Sequence, residues 1–217
     1  MPVPDIMKKI SAGREYRRFD VDSLEIRTGD ADDGSMTIDG YAATFGQRYE
    51  LWREDNYVVY EEIDSKAFDG CDMSDVIMQY DHAGRVFARL SNGTLTVAPD
   101  DHGLHIRANL SGTELGRQLY QEIRDGYTTK MSFGFTVDKD ERSVIEDHDT
   151  GRIEVVRKIT RIRKLYDVSA VSLPANDTTE ISARSYSDGV IQELAEESRR
   201  RAKRTLELKI RLLEVRE

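Results

Sequence analysis

Short stretches of alternating apolar and polar residues, separated by Gly, Asp and Asn, run from residue 20 to residue 173 and constrain the fold more than any other feature. Alternation with a period of two is typical of half-buried β-strands, and these three residue types are typical of turns. We therefore predict strands at 24–27, 36–45, 57–63, 76–80, 86–90, 95–97, 104–109, 131–137, 153–162 and 166–173. An Asn-Gly pair at 92–93 favours a tight hairpin turn between two of them.

One helix is predicted inside this β-rich region. Ser111 and Glu114 have the spacing of a capping box, in which both side chains accept hydrogen bonds from backbone N–H groups at the start of a helix. Three apolar residues then recur every four positions and give the helix one apolar face: Leu115, Leu119 and Ile123. An Asp-Gly pair at 125–126 ends it, because glycine readily adopts the left-handed conformation at a helix terminus. The fold class is therefore β-rich α+β.

The two ends of the chain differ from its middle. Residues 1–19 contain two prolines and a basic cluster, and we predict a flexible N-terminal arm. Residues 20–185 form the predicted β-rich domain. Residues 186–217 consist almost entirely of strong helix formers, with an apolar spacing that is interrupted at 198–201. This last segment predicts an exposed C-terminal helix that docks on a partner or on the β-rich domain itself.

Composition excludes several classes of protein. A formal net charge of −9 argues against general attraction to nucleic-acid phosphates. Apolar runs are far too short to span a membrane, and the N-terminus lacks the apolar region of a secretory signal. Cys71 is the single cysteine, so an intrachain disulfide and a cysteine-based metal cluster are excluded, and a half-buried thiol is expected. These features indicate the cytoplasm of a host cell.

His82 is the histidine whose position best fits a functional site. The other three lie in polar turns or on a strand face predicted to be solvated: His102, His105 and His148. His82 instead follows a predicted strand and precedes an Ala-Gly turn, and loops at strand ends often carry functional groups on a rigid scaffold. A histidine in an ordinary surface turn remains the alternative on position alone.

Two other segments combine an apolar strand face with polar groups. In residues 131–135, MSFGF, Ser132 and Gly134 share the face opposite the Met and Phe side chains, and the glycine leaves room for a substrate backbone. A plain Ser/Gly face of a strand is the alternative. Asp167, flanked by apolar positions, is either buried with a partner such as a histidine N–H or lies at a strand end. Ser169 and Ser172 compete with Ser132 by residue type, but neither has an adjacent glycine.

The content and order of these segments resemble the prohead (procapsid) maturation protease family of tailed phages, which is similar in fold to the herpesvirus assemblin proteases. The resembling blocks are 40–45 (GYAATF), 67–68 (AF), 78–82 (MQYDH), 93–95 (GTL), 103–104 (GL), 131–135 (MSFGF), 167–169 (DVS) and 173–176 (LPAN). They lie between residues 35 and 180. The serine block is the most specific, and together with the histidine and acid blocks it outweighs the structural alternatives.

The resemblance implies a serine endopeptidase in which Ser132 is the nucleophile, His82 the general base and Asp167 the acid that orients the histidine, at a position where many members have Glu. It implies a closed antiparallel β-barrel ringed by a few helices, without a cofactor or metal. The implied substrates are the N-terminal segment of the major capsid protein or a scaffold, and the protease itself, inside the prohead. A homo-oligomer is compatible with it, whereas a membrane or a specific nucleic acid is not expected as a partner.

The oxyanion hole and the enzymatic role itself both have alternatives. Backbone N–H groups, or an arginine such as Arg161 or Arg163, are candidates for the oxyanion donors. A non-enzymatic capsid-assembly or scaffold-type protein on the same barrel, or a barrel that binds a small ligand, would leave the three polar residues unconnected. The enzyme hypothesis requires His82 within hydrogen-bond reach of both Ser132 and Asp167.

Overall fold

The computed structural model describes residues 13–20, 36–54, 56–147 and 151–171, and helical positions between Leu194 and Glu207. The strands are β1 (Glu15–Asp20), β2 (Thr37–Thr44), β3 (Arg48–Glu54), β4 (Tyr57–Ile63), β5 (Ile77–Tyr80), β6 (Ala83–Arg89), β7 (Leu95–Pro99), β8 (Gly103–Asn109), β9 (Lys130–Asp147) and β10 (Arg152–Val171). Helix α1 spans Glu114–Arg124, and a 3₁₀ turn spans Leu90–Asn92. The β-rich α+β class is thus confirmed.

The strands form two sheets. In the larger one the order is β1-β9-β10-β4-β3, with β5 attached to β10 and β6 to β5, while β2-β8-β7 forms the smaller one. The predicted antiparallel arrangement is wrong in part, because β10 pairs in parallel with both β4 and β5. Strand β10 is twenty residues long and pairs first with β4 and then with β5. Between these two stretches, from Ile159 to Asp167, its register with β9 shifts. In the described part of the chain neither sheet closes on itself, so the predicted closed barrel is not confirmed.

Most predicted strands and the predicted helix have counterparts in the structure, but several details differ. The strands predicted at 153–162 and 166–173 are one strand, β10, and the region between them holds bulges instead of a loop. Strand β3 was not anticipated, and the segment 24–27 lies outside the described residues. The predicted helix is present, but Thr113 caps it and accepts a hydrogen bond from the Gly116 N–H at 3.0 Å. Ser111 instead donates to Asn109, so the predicted capping box is wrong.

Part of the segment predicted as a flexible arm is a strand. Strand β1 pairs antiparallel with β9, from Glu15 opposite Phe135 to Asp20 opposite Lys130. The prediction is wrong for these residues. Charged side chains normally face water, whereas Glu15 and Arg17 are buried, with 4% and 2% of their surface exposed. The strand is thereby fixed on the sheet beside Ser132.

A buried charge cluster anchors β1 to the sheet. It is formed by Glu15, Arg17, Glu61 and Arg157. Arg17 donates to both oxygens of Glu61, with Nη2 and Oε2 at 2.9 Å, and to Glu15 at 2.5 Å. Arg157 donates to Glu15 at 2.7 and 3.0 Å and to Glu61 at 2.9 Å. Because each charge has an opposite charge in direct contact, the cluster tolerates burial that would exclude a lone ion.

The charge cluster predicts a loss of stability in acid. Burial alone raises the pKa of Glu15, but Arg17 and Arg157 outweigh it and lower the pKa from 4.5 to about 2. A carboxyl group with a lowered pKa stabilises the fold above its ordinary pKa and stops doing so as the pH falls through the folded value. We expect the free energy of unfolding, measured by urea denaturation, to fall as the pH is lowered from 4.5 towards 2. In Glu15→Gln the slope over this range should be smaller, and an unchanged slope would contradict the assignment.

The main apolar core combines side chains of both sheets and α1. Phe133 and Phe135 of β9 stack with their ring centroids 4.5 Å apart, and both are fully buried. Leu119 and Ile123 of α1 belong to the same cluster, whereas Leu115 is 39% exposed. The predicted alternation in β9 is therefore confirmed, since its aromatic residues face the core and leave Ser132 and Gly134 on the other face.

The C-terminal segment is helical at the described positions between Leu194 and Glu207. Leu194 packs against a second buried cluster formed by Val59 of β4 and Val155 of β10. Further along, Arg200 forms an exposed i,i+4 ion pair with Glu196 at 3.1 Å. The helix thus docks on the chain's own sheet at its first described residue, and the predicted domain boundary near residue 185 stays a prediction. Among the described residues there is no helix long and apolar enough to cross a membrane.

Candidate active site

His82 lies in a strained two-residue turn between β5 and β6. Tyr80 pairs with Ala83, and the two central residues, Asp81 and His82, have φ angles of 49° and 56°. Positive φ at both central positions is characteristic of the type I′ hairpin turn, where asparagine, aspartate and glycine are preferred. The Asp81 N–H donates to the Ala170 carbonyl at 3.0 Å and ties the turn to β10. The predicted Ala-Gly turn is thus wrong by two residues, and the turn contains the histidine itself.

Ser132 and Asp167 lie on adjacent antiparallel strands. Asp167 of β10 is opposite Gly134 of β9, and Ser169 is opposite Ser132. Strand β5 pairs with the other edge of β10 over the same residues, so the β5–β6 turn lies beside them. Three neighbouring strands, β5, β10 and β9, thereby bring together all three predicted site residues.

The three side chains form a continuous line of hydrogen bonds. His82 Nδ1 is 2.5 Å from Asp167 Oδ1, and His82 Nε2 is 2.6 Å from Ser132 Oγ. Because a carboxylate only accepts, the contact with Asp167 assigns the proton to Nδ1 and leaves Nε2 free to accept. The imidazole is therefore held in the tautomer that can remove a proton from the serine hydroxyl.

Asp167 is fully buried and surrounded by donors. Ser169 Oγ donates to its Oδ1 at 2.9 Å, and the Arg14 guanidinium pairs with its Oδ2. Burial raises the pKa of this carboxyl, but the hydrogen bond from His82 and its electrostatic attraction, followed by the charge of Arg14, hold the pKa below its ordinary value. The group is consequently ionised at neutral pH, as the orientation of an imidazole requires. Sequence reasoning treated Ser169 as a competing nucleophile and did not identify Arg14.

Gly134 is required by its close neighbours. A Cβ atom at this position would lie too close to Asp167 Oδ2 and 2.8 Å from the Tyr16 ring. The space that the sequence assigns to a substrate backbone is thus filled by the chain's own side chains. We expect Gly134→Ala to lower the free energy of unfolding by about 1–3 kcal/mol, the usual cost of overpacking.

A matched control for this substitution is Gly112→Ala. A Cβ atom at Gly112 would meet nothing within 4 Å. Urea denaturation of both variants should therefore show a lower midpoint for Gly134→Ala alone. Equal midpoints would mean that the site can rearrange around an added methyl group at no cost.

The remaining candidates do not join the site. Arg161 and Arg163 are exposed and pair with Asp138 at 3.8 and 3.3 Å, which does not support either as an oxyanion donor. His105 contacts Asp39 at 2.8 Å on the smaller sheet. Cys71 is half-buried as predicted, and burial raises the pKa of its thiol to about 11. No group of three His, Cys, Asp or Glu side chains that could hold a metal ion occurs among the residues that the structure describes.

Comparisons with known proteins point to a family of serine proteases. The family described as caudovirus prohead serine protease matches residues 22–215. The prohead protease of Enterobacteria phage HK97 is 32% identical over 96 residues, which is 44% of this chain and 39% of that protein. The match therefore spans well under half the length of that relative. The bacteriophage T4 capsid assembly protease gp21 matches over 73% of this chain and 98% of its own, at 11% identity and a TM-score of 0.38, which does not establish a shared fold. None of these matches tests the predicted similarity to herpesvirus assemblins.

Proposed function

Because the chain belongs to the caudovirus prohead serine protease family, we propose that it is a serine endopeptidase of phage capsid maturation. In this proposal Ser132 is the nucleophile, His82 the general base and Asp167 the acid that orients the base. The observation that carries it is the line of contacts from Asp167 to His82 to Ser132, at 2.5 and 2.6 Å. The 2.6 Å between His82 Nε2 and Ser132 Oγ lies within the range needed for a nucleophile and its base.

The proposed reaction proceeds through an acyl-enzyme. His82 Nε2 takes the hydroxyl proton as Ser132 Oγ attacks the scissile carbonyl carbon, and the resulting imidazolium gives that proton to the leaving amine. Water, activated by the same nitrogen, then hydrolyses the ester and regenerates the serine. Asp167 remains ionised throughout and stabilises the imidazolium, for which its lowered pKa is suited.

The proposed substrates are the N-terminal segment of the major capsid protein or a scaffold, and the chain itself. Cleavage would take place inside the prohead, in the host cell, and a further copy of the chain is a compatible partner. Support for this setting comes from the family and from the relative in phage HK97, which is named a prohead protease. A non-enzymatic assembly protein is the alternative. It would need no connection between the three side chains, and their continuous contact favours the protease.

Co-expression with the major capsid protein of the same phage tests the proposal. We expect the capsid protein to be shortened in the presence of the wild-type chain and to remain full length in the presence of His82→Ala. Mass spectrometry of the product would give the cleaved bond. A capsid protein that assembles normally without being cut would instead support the non-enzymatic alternative.

Asp167→Asn should be impaired but still measurably active. Replacing the carboxylate with an amide favours the wrong tautomer of His82, which lowers kcat by about 10⁴-fold in a serine triad. Removal of the nucleophile costs more, so Asp167→Asn should cleave a peptide substrate faster than Ser132→Ala. Full activity in Asp167→Asn would mean that another group orients the histidine.

A further inference from the structure

Strand β1 occupies the edge of the strand that carries Ser132. Strand β9 pairs with β10 along one edge and with β1 along the other, over residues 130–135. The Ser132 hydroxyl donates to the Arg17 carbonyl oxygen at 2.7 Å. An extended peptide commonly binds a sheet by adding a strand to a free edge, with backbone hydrogen bonds supplying much of the affinity. Beside Ser132 that edge is already filled by the chain itself.

Side chains of the same segment cover the other two site residues. The Tyr16 ring packs against the His82 imidazole with centroids 4.3 Å apart. Arg14 pairs with Asp167 and places its guanidinium 4.5 Å from the centroid of the Tyr166 ring. As a result Ser132 is 2% exposed and the His82 side chain 8% exposed. A polypeptide substrate cannot reach a nucleophile that is covered to this extent.

The hydrogen bond between Ser132 and β1 opposes activation of the serine. A serine hydroxyl has one hydrogen, so a bond to the Arg17 carbonyl competes with the bond to His82 Nε2 that activation requires. The atom of Arg17 in contact with Ser132 Oγ is the carbonyl oxygen, whereas attack requires approach to the carbon. The segment therefore holds the position of a substrate without offering a bond for cleavage.

We propose that residues 13–20 are an internal inhibitor, which occupies as an added strand the edge of β9 where an extended substrate segment binds. This inference rests on the proposed function. A tethered segment competes at an effective concentration of the order of mM, so a dilute peptide does not displace it. Activity then depends on release of β1 from β9, or on a substrate presented at a comparable local concentration.

The test removes contacts between β1 and the candidate site and leaves the charge cluster that fixes β1 in place. Arg14→Ala/Tyr16→Ala removes the two side chains that cover Asp167 and His82 and leaves the charge cluster intact. The lost ion pair and ring contact correspond to about a tenfold larger population of the open form. We expect Ser132 to be labelled about tenfold faster by a small fluorophosphonate, as measured by mass spectrometry, and peptide cleavage to rise in parallel.

Two controls complete this experiment. Tyr127→Ala removes a tyrosine that is 79% exposed and lies outside β1, between α1 and β9, and it should leave the labelling rate unchanged. A synthetic peptide with the sequence of residues 13–20, GREYRRFD, added at a concentration of the order of mM to match the tethered segment, should restore slow labelling of the double variant, and a scrambled peptide should not.

The outcomes separate this inference from the proposed function. Slower or unchanged labelling of the folded double variant would overturn the inference, because Arg14 and Tyr16 would then only hold Asp167 and His82 in place. A chain lacking residues 1–20 provides a second variant, in which labelling should be faster still. If Ser132 is labelled in no variant, the proposed nucleophile is wrong and the inference fails with it.

Discussion

Replacing Ser132 with alanine is expected to lower peptide cleavage about a millionfold, the cost of removing the nucleophile from a working serine triad. His82→Ala should have an effect of similar size, because the nucleophile and base act as one unit. The substitution leaves the aromatic face of β9 in the core untouched, and the lost hydroxyl makes contacts only on the opposite face. The rate should be measured in a variant with an uncovered site, so that the baseline is high.

The matched control is Ser143→Ala on the same strand. Ser143 lies in the distal, exposed part of β9, far along the strand from Ser132, and its removal should leave cleavage unchanged. Thermal denaturation should show that both variants fold. Near-normal cleavage by Ser132→Ala would eliminate Ser132 as the nucleophile and would direct attention to another serine of the chain.

Glu61→Gln is expected to lower the free energy of unfolding by about 3–5 kcal/mol, the usual effect of breaking a buried ion pair. Glu61 is fully buried and accepts hydrogen bonds from Arg17, Arg157 and Tyr49. An amide in its place carries no charge, so the two buried guanidinium groups of Arg17 and Arg157 each lose one of their counter-ions. Neither arginine can avoid this cost by becoming neutral, because an arginine side chain keeps its proton at accessible pH.

Glu62→Gln on the same strand is the control. Glu62 pairs with Arg48 at 3.5 Å and Lys158 at 3.6 Å, and the side chains of these partners are 52% and 40% accessible to solvent. Exposed ion pairs contribute about 0–1 kcal/mol, so the urea midpoint should move little. If both variants lose the same small amount of stability, the charge cluster does not anchor β1.

The residues of the candidate site were predicted from the family resemblance, because the local patterns left a structural alternative open for each of them. Ser132 alternates with buried aromatic residues, and the structure places those residues in the core. The pattern around Asp167 predicted either burial with a partner such as a histidine N–H or a place at a strand end, and Asp167 is buried in contact with His82. The turn was harder to predict, because Asp81 and His82 both adopt positive φ where the sequence has a glycine two residues later. That local strain is compensated by contacts with β10 that no local pattern reveals.

Strand β1 could not be predicted from its residues. Its sequence, EYRRFD, lacks an apolar face, and charged residues are usually assigned to solvent. Glu15 and Arg17 are buried because Glu61 and Arg157 meet them from strands that are distant in the chain. The parallel pairing of β10 was missed for a similar reason, since alternation indicates which face is buried and not which strand is the neighbour.

The two faces of β1 link the lifetime of the molecule to its activity. One face covers the site through Tyr16, and the other supplies Glu15 and Arg17 to the charge cluster. Removal of the strand from the sheet would uncover Ser132 and at the same time take Glu15 away from Arg157 and Arg17 away from Glu61. Under the proposed inhibition, the open molecule is therefore the less stable form, and the covered molecule is both the more stable form and the inactive one. A protease inhibited in the proposed way would be stored intact in its covered form and would act only during a short-lived open state.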